Sequence, residues 1–342
     1  MIPLDEGDLA SIIGYLGKIR PADMASRFAR TGGFDASSFS PCGSGYGGSV
    51  AAVDGSNAMV LETGSFSVVL VRAVETTFLS GRRSHAGETS LRAFRIGPEE
   101  ENTAYEKLYM ECFKGTKPKK PLENEDRSRA AAAFRDTLEY WTALRLAETL
   151  DRGDALLLDG ALRVDHESHR PVLKDILDTA RSRGVLVAAV TKMASSTWGG
   201  GIPLVPAAEA LARDLGVAEA WYLAVPPSVL DAERYRQWDF STTYVASLHP
   251  RSPRAFKIDL PAGSPPSAVR ATFAALASYA DDGRVTGYPF PLFDAHRFAA
   301  IGKDQVDMVR QVFIGRMAGA GMTNADFQSY FGDYHDTFAP YR

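Results

Sequence analysis

Six residues of this sequence have the side chains and the settings for chemistry on an anionic substrate: Asp54, Glu139, Asp159, Lys192, Tyr288 and His296. Asp54 follows the apolar Val50-Ala51-Ala52-Val53 and precedes Gly55-Ser56, while Asp159 follows Leu156-Leu157-Leu158 and precedes Gly160-Ala161. Two buried strands thus end in the same Asp-Gly. If those strands are parallel neighbours, both carboxylates emerge at one edge of the sheet, where open α/β sheets bind their ligands. Either dipeptide alone reads as a turn after a strand. As a pair they read differently, because two adjacent carboxylates repel and are costly to bury unless a cation lies between them.

Glu139 lies in a Gly- and Pro-free helical stretch, Ser128–Leu150, on the face of Ala132, Ala143, Leu146, Ala147 and Leu150. A carboxylate there is either an i,i+4 partner of Arg135 or a third acidic ligand supplied by a helix packed on the sheet. Glu148, by contrast, shares its face with Arg145 and Arg152 and reads as a solvated charge. His296 shares a helical face with Leu292, Phe293, Ala299 and Ala300. It is a satisfied core histidine or an imidazole ligand able to move a proton near a metal-bound water. Tyr288 can hydrogen-bond a phosphate or simply pack. Lys192, just past an apolar strand, should emerge at the edge that carries the aspartates, where an ammonium can hold a scissile phosphate.

The elements that must position these groups are legible from periodicity. Leu9–Arg30 reads as two short helices interrupted at Pro21, and the Gly/Ser-rich 31–48 as a loop. Strands are expected at Ser49–Val53, Phe66–Phe78 and Leu91–Ile96, whose short connections imply an antiparallel meander. Ala155–Leu158, His169–Arg183 and Val185–Val190 read as a strand, helix and strand with parallel pairing. Further strands are expected near Ala220–Val225, Thr243–Ser247 and Phe256–Asp259, with helices near Pro266–Ala280 and from Pro291 to about Ala318. This order predicts an α/β fold, a ribonuclease H-like mixed sheet flanked by helices. The expected organisation is an N-terminal helical extension over 1–45 and one main domain over 46–342.

Other features carry less. Gly43-Ser44-Gly45-Tyr46-Gly47-Gly48 satisfies the dinucleotide pattern but precedes a strand instead of following one and opening a helix. His166-Glu167-Ser168-His169 lacks the spacing of a zinc protease and reads as a polar helix entry. Lys114, Lys117, Lys119 and Lys120 are followed by Glu123, Glu125 and Asp126, which reads as a solvated loop. The loop Ser195–Pro206, with Trp198 ahead of three glycines, reads as flexible.

The 342 residues, 45% hydrophobic and 23% charged, describe an ordinary globular chain. A net charge of −4 excludes a globally cationic surface, so any nucleic-acid contact must be local. Two cysteines, Cys42 and Cys112, supply no disulfide framework, and the acidic N-terminus and lack of a long apolar run point to a cytoplasmic protein with no membrane segment.

Taken together, Val53-Asp54-Gly55-Ser56, Arg135-x-x-x-Glu139-x-x-x-Ala143, Leu157-Leu158-Asp159-Gly160-Ala161-Leu162, Ala189-Val190-Thr191-Lys192 and Gly287-Tyr288-Pro289 with Ala295-His296-Arg297 resemble the NurA nucleases in order and spread. The second Asp-Gly is followed by Ala161 where the family more usually has Ser, a minor departure because the carboxylate is kept. The resemblance implies a manganese-dependent enzyme, with magnesium as the other candidate. The activity implied is 5′→3′ exonuclease and single-strand endonuclease on DNA. Asp54, Glu139 and Asp159 would be the acidic metal ligands, and Tyr288 and His296 would complete the site; in a two-ion mechanism, read separately from the resemblance, Asp54 is the candidate to bridge both ions. It further implies a homodimer acting with a HerA-type hexameric ATPase in DNA end resection and repair. The chain contains no Walker A motif of its own. The competing expectation is a catalytically silent adaptor for a DNA-translocating ATPase.

Overall fold

The computed structural model describes residues 5–17, 21–97, 103–123, 125–192, 195–231, 240–321, 323, 325, 326 and 329. Its elements run α1 (Glu6–Gly17), α2 (Pro21–Gly32), β1 (Phe39–Pro41), β2 (Val50–Glu62), β3 (Ser67–Leu79), β4 (Arg82–Glu88), β5 (Arg92–Ile96), α3 (Thr103–Cys112), α4 (Arg127–Thr149) and β6 (Ala155–Asp159). They continue with α5 (His169–Arg183), β7 (Leu186–Thr191), β8 (Thr197–Trp198), β9 (Ile202–Pro203), α6 (Leu204–Asp214), β10 (Trp221–Val225), β11 (Ser241–Ser247), β12 (Phe256–Pro261), α7 (Pro266–Ala277), α8 (Phe290–Ala299) and α9 (Lys303–Gly319).

A single mixed sheet dominates, in the order β1-β10-β11-β12-β7-β6-β2-β3-β4, with β5 also against β3. β3 returns antiparallel along nearly all of β2, and β4 and β5 pair antiparallel to different stretches of β3. On the other side of β2, β6 and then β7 run parallel. The meander followed by two parallel strands is the ribonuclease H-like order expected, and the β6-α5-β7 crossover supplies the helix that parallel pairing requires.

Alternation along the central strands divides the core into two layers. Ala51, Val53, Leu156, Leu158, Val187 and Ala189 pack under α3, α4 and α5. Val50, Ala52, Ala155, Leu157, Ala188 and Val190 face Phe273 and Leu276 of α7 and Leu292 and Ala295 of α8. A third cluster joins Met24 and Phe28 of α2 to α6 and to Trp221 and Leu223 of β10, and α9 lies over Val60 and Leu70.

Several local expectations change. The first strand does not end at Val53: β2 continues to Glu62, because β3 offers pairing partners beyond the end of β6, so Asp54-Gly55 is mid-strand and not a turn. The 31–48 stretch is not all loop, since Phe39–Pro41 forms the edge strand β1 against β10. The helical stretch expected from Pro291 to Ala318 is broken at Ala300–Gly302 into α8 and α9. The Ser195–Pro206 loop holds a small hairpin in which Trp198 is fully buried against Phe28, and Asp231 accepts hydrogen bonds from the Gly200 and Gly201 N–H groups. β4, α3 and α6 were not anticipated; β4 is polar and exposed at an edge, with no apolar stripe to announce it. Ile19 of the expected N-terminal stripe lies outside the described residues.

Candidate metal centre

Two register facts build the site. Val53 pairs with Leu158 in the parallel β2–β6 ladder, so the next residues, Asp54 and Asp159, stand side by side on the α8 face. β6 and β7 stop at Asp159 and Thr191 while β2 runs on, which opens a notch beside Asp54. His296, on α8, crosses this notch and brings Nδ1 to 2.7 Å from Asp54 Oδ2. Asp54, Asp159 and His296 each offer one ligand atom, all within 4.8 Å of one another.

The helix carrying His296 is held by the meander. Arg72 of β3 donates to the Ala299 and Ala300 carbonyls (2.9 and 2.6 Å), Thr76 to the Pro291 carbonyl (3.0 Å), and Arg83 pairs with Asp294 at 3.0 Å. Together these contacts prevent α8 from sliding along the strands.

Lys192, immediately after β7, places Nζ 2.9 Å from Asp159 Oδ2 and 3.9 Å from Asp54 Oδ2. It is therefore not a strand-end charge left in water. Tyr288 is buried, donates from its hydroxyl to Asp159 Oδ1 at 3.4 Å, and lies beneath the Lys192 ammonium, 5.8 Å from its ring centroid. The turn that delivers Tyr288 requires Gly287, at φ +93°, where a Cβ would collide with the Ser252 side chain.

Glu139 approaches from the opposite face. It reaches the strand over Gly55, where an added Cβ would lie 2.7 Å from Glu139 Cγ and 2.9 Å from Arg135 Cγ. Its carboxylate is 3.2 Å from Arg135 Nε and stands outside the tight Asp54–Asp159–His296 group. Of the six residues singled out by sequence, five therefore meet directly and Glu139 stands beside them.

The charges are held at a cost. Burial lifts the Asp54 carboxyl above its ordinary value, Asp159 raises it further, and Lys192 and His296 oppose the rise. Glu139 is pushed well up by burial, with Arg135 pulling it back down and Asp136, Asp54 and Asp159 adding to the rise. Burial also raises the Tyr288 hydroxyl, helped by Asp159 and Asp54, so it remains a donor at neutral pH. Two carboxylates and an imidazole at this spacing suit a divalent cation that accepts oxygen and nitrogen. The Lys192 ammonium, bridging both aspartates, shows where the centre draws positive charge.

Sequence reading missed Lys257 and Asp259 of β12. Both are essentially unexposed, Nζ lies 2.5 Å from Asp259 Oδ2, and Thr243 donates to Oδ1 at 3.0 Å. Asp259 Oδ2 also accepts the Leu162 N–H at 3.3 Å, bracing the turn that follows Asp159. The signal was available: opposite charges two apart in an apolar strand share a face and can pair.

The remaining motifs lie elsewhere. His169 is not part of a solvated helix entry; it is buried, with Nε2 2.8 Å from the Thr137 hydroxyl, and burial lowers its pKa to about 3. Lys114 and Lys117 pair with Glu148 and Glu106 on the surface. Gly43–Gly48 leads into β2 and opens no helix.

Comparison with known proteins then adds a family-level finding. The family model of the NurA domain matches residues 48–301. The NurA nuclease from Sulfolobus solfataricus superposes with a TM-score of 0.53 at 14% identity, over 93% of this chain and 98% of that one. A NurA structure bound to dAMP and manganese gives 0.50 at 11% identity, over 88% of this chain and 94% of that chain. A further NurA structure gives 0.50 at 10% identity, over 88% and 95%. Comparison with curated protein sequences finds no match.

Proposed function

Since this chain belongs to the NurA family of nucleases, we propose that it is a divalent-metal-dependent DNA nuclease centred on Asp54, Glu139, Asp159 and His296. One observation carries the reading: two neighbouring strand carboxylates and an imidazole converge within 4.8 Å, with a lysine between the acids. A divalent ion held there would polarise the scissile phosphate and make a bound water more acidic. The phosphodiester is hydrolysed when the water oxygen bonds to phosphorus, the ester P–O bond breaks and a proton reaches the departing oxygen.

The chain's own groups divide this work. Asp54, between Asp159 and His296, would share with them the holding of a divalent ion. Tyr288 and the Gly160 turn orient Asp159, with Thr191 donating to the Gly160 carbonyl at 2.7 Å. Lys192 leaves the carboxylates for a phosphate oxygen as charge accumulates. His296 holds Asp54 through Nδ1, and its other nitrogen remains to ligate or to pass a proton.

Manganese is the favoured ion, with magnesium as the alternative, because the donor set includes an imidazole nitrogen; the relative bound to dAMP and manganese supports the same choice. The remainder of the reading follows from the family: 5′→3′ exonuclease and single-strand endonuclease activity in a cytoplasmic homodimer that processes DNA ends for repair with a HerA-type hexameric ATPase. Among the described residues, no helix is long and apolar enough to cross a membrane. Purified protein should cut labelled single- and double-stranded oligonucleotides with manganese and not with EDTA. No cleavage by the pure protein, alone or with its ATPase, would instead support the adaptor.

A second prediction follows from Gly55. The Gly55→Ala change crowds Glu139 and Arg135, so cleavage should fall about 10- to 100-fold, since a misplacement of about 1 Å is costly in a catalytic centre. Stability should fall by about 1–3 kcal/mol. Gly64→Ala, where a Cβ meets nothing within 4 Å, is the control. Equal cleavage rates for both variants would refute a close-approach role for Gly55.

A further inference from the structure

We propose that Arg135 is a positioning residue of this centre: it holds the Glu139 carboxylate back against β2 until a divalent cation takes over that carboxylate, and the guanidinium so released contacts a phosphate of the bound strand. The inference rests on the metal-centre reading above and goes beyond it in assigning Arg135.

Arg135 ties together three oxygen-bearing side chains. Its guanidinium lies 3.2 Å from Glu139 Oε1, 2.7 and 3.0 Å from Asp136 Oδ1, and 3.4 Å from Asn57 Oδ1 on β2. The pair with Glu139 lies over Gly55, the position where a Cβ would exclude it. Arg135 thus explains why Glu139 is beside the centre but outside the group of three: its charge is already matched.

Two cations divide the local carboxylates between them. Lys192 serves Asp54 and Asp159, while Arg135 serves Glu139 and Asp136. A divalent ion at Asp54 and Asp159 adds positive charge near Glu139 and competes with Arg135 for it. Asp136 is nearly buried and anchors the guanidinium from its other side, so Arg135 can release Glu139 without losing every partner. Arg135 also lines a cavity of about 220 Å³ shared with Asp159, Gly160 and Thr191. As a residue lining that cavity, Arg135 could offer phosphate oxygens the donor fork that suits them once Glu139 is released, and it stays charged throughout.

Manganese binding measured without DNA, by the electron-paramagnetic-resonance signal of the free ion, separates this role from a purely structural one. Arg135→Gln removes the competing charge and should bind manganese about three- to tenfold more tightly than wild type, whereas Arg135→Lys should remain within about twofold. Both variants should raise KM for an oligonucleotide, Arg135→Gln by about tenfold or more. A structural brace would leave manganese affinity unchanged or weaken it, so an Arg135→Gln protein that binds no more tightly overturns the proposal.

If Arg135→Gln fails to fold because Asp136 loses its partner, the wild-type Arg135 Nε–H resonance, assigned with Arg135→Lys, provides the readout. It should shift on saturation with diamagnetic magnesium, and no shift overturns the proposal. Wild-type protein that binds no manganese would instead sink the metal-centre reading itself.

Discussion

Asp54→Asn should reduce cleavage on the order of a thousandfold or more while leaving the metal-free protein at least as stable as wild type. The two effects have one origin. Asp54 is 4% exposed beside Asp159, and its carboxyl titrates above the ordinary value of 3.8 because burial and the neighbouring charge both oppose ionisation. A group whose folded pKa is raised costs the fold stability at any pH above its unfolded value, so in EDTA at neutral pH the isosteric amide removes a penalty. The amide oxygen can still accept from His296, which keeps the helix contact.

With manganese present the order should reverse. A ligand that binds only the folded state stabilises it by about 2.7 kcal/mol at one hundred times its dissociation constant, and Asp54→Asn should forgo most of that gain. Thermal midpoints of both proteins, with EDTA and with manganese, give four numbers whose crossing is the test. Parallel behaviour of the two proteins in both conditions would mean that Asp54 is not a ligand. Retained cleavage in the variant would mean that the reaction proceeds elsewhere.

Lys257→Met should destabilise the fold by about 3–5 kcal/mol, the typical result of leaving a buried charge without its counter-ion. Asp259 is fully buried, and the Thr243 hydroxyl and Leu162 N–H that it also accepts from are neutral donors. Burial already lowers the Lys257 pKa, with Asp259 opposing the shift, so the pair carries its own desolvation cost. The double change Lys257→Met with Asp259→Leu should therefore recover most of the loss, since replacing both charges removes the unpaired carboxylate. Denaturant unfolding of the two variants decides the matter: a single variant within about 1 kcal/mol of wild type, or a double variant no better than the single, would show the pair is not what holds this strand. Because Asp259 also binds the chain three residues past Asp159, the single variant should lose metal affinity as well.

The sequence by itself determined the periodic elements and which side chains are candidates for the site. Unbroken apolar runs at 50–53, 155–158 and 186–190 identified buried strands, and the residues that follow them, Asp54, Asp159 and Lys192, could be assigned to one edge of the sheet because strand geometry sends the next residue to a predictable place, although Asp54 proves to lie in mid-strand. Glu139 was legible as a carboxylate on an apolar helix face. These are local properties, set by side-chain period and burial cost within a few residues.

Only the tertiary structure decided the rest, because it depends on pairing between segments far apart in the chain. That β2 outruns β6, leaving Asp54 in mid-strand beside a notch, follows from the length of β3 and is invisible in residues 50–54. That His296 turns from its apolar face toward Asp54 depends on Arg72, Thr76 and Arg83, which lie more than two hundred residues earlier and clamp the helix ends and flank. The same holds for Lys192 sitting between two acids and for Arg135 engaging Glu139 over a strand that lacks a Cβ at Gly55. Spacing along a chain specifies which groups are available, whereas the electrostatic balance among them is a function of distances across the fold, which strand register and helix packing set.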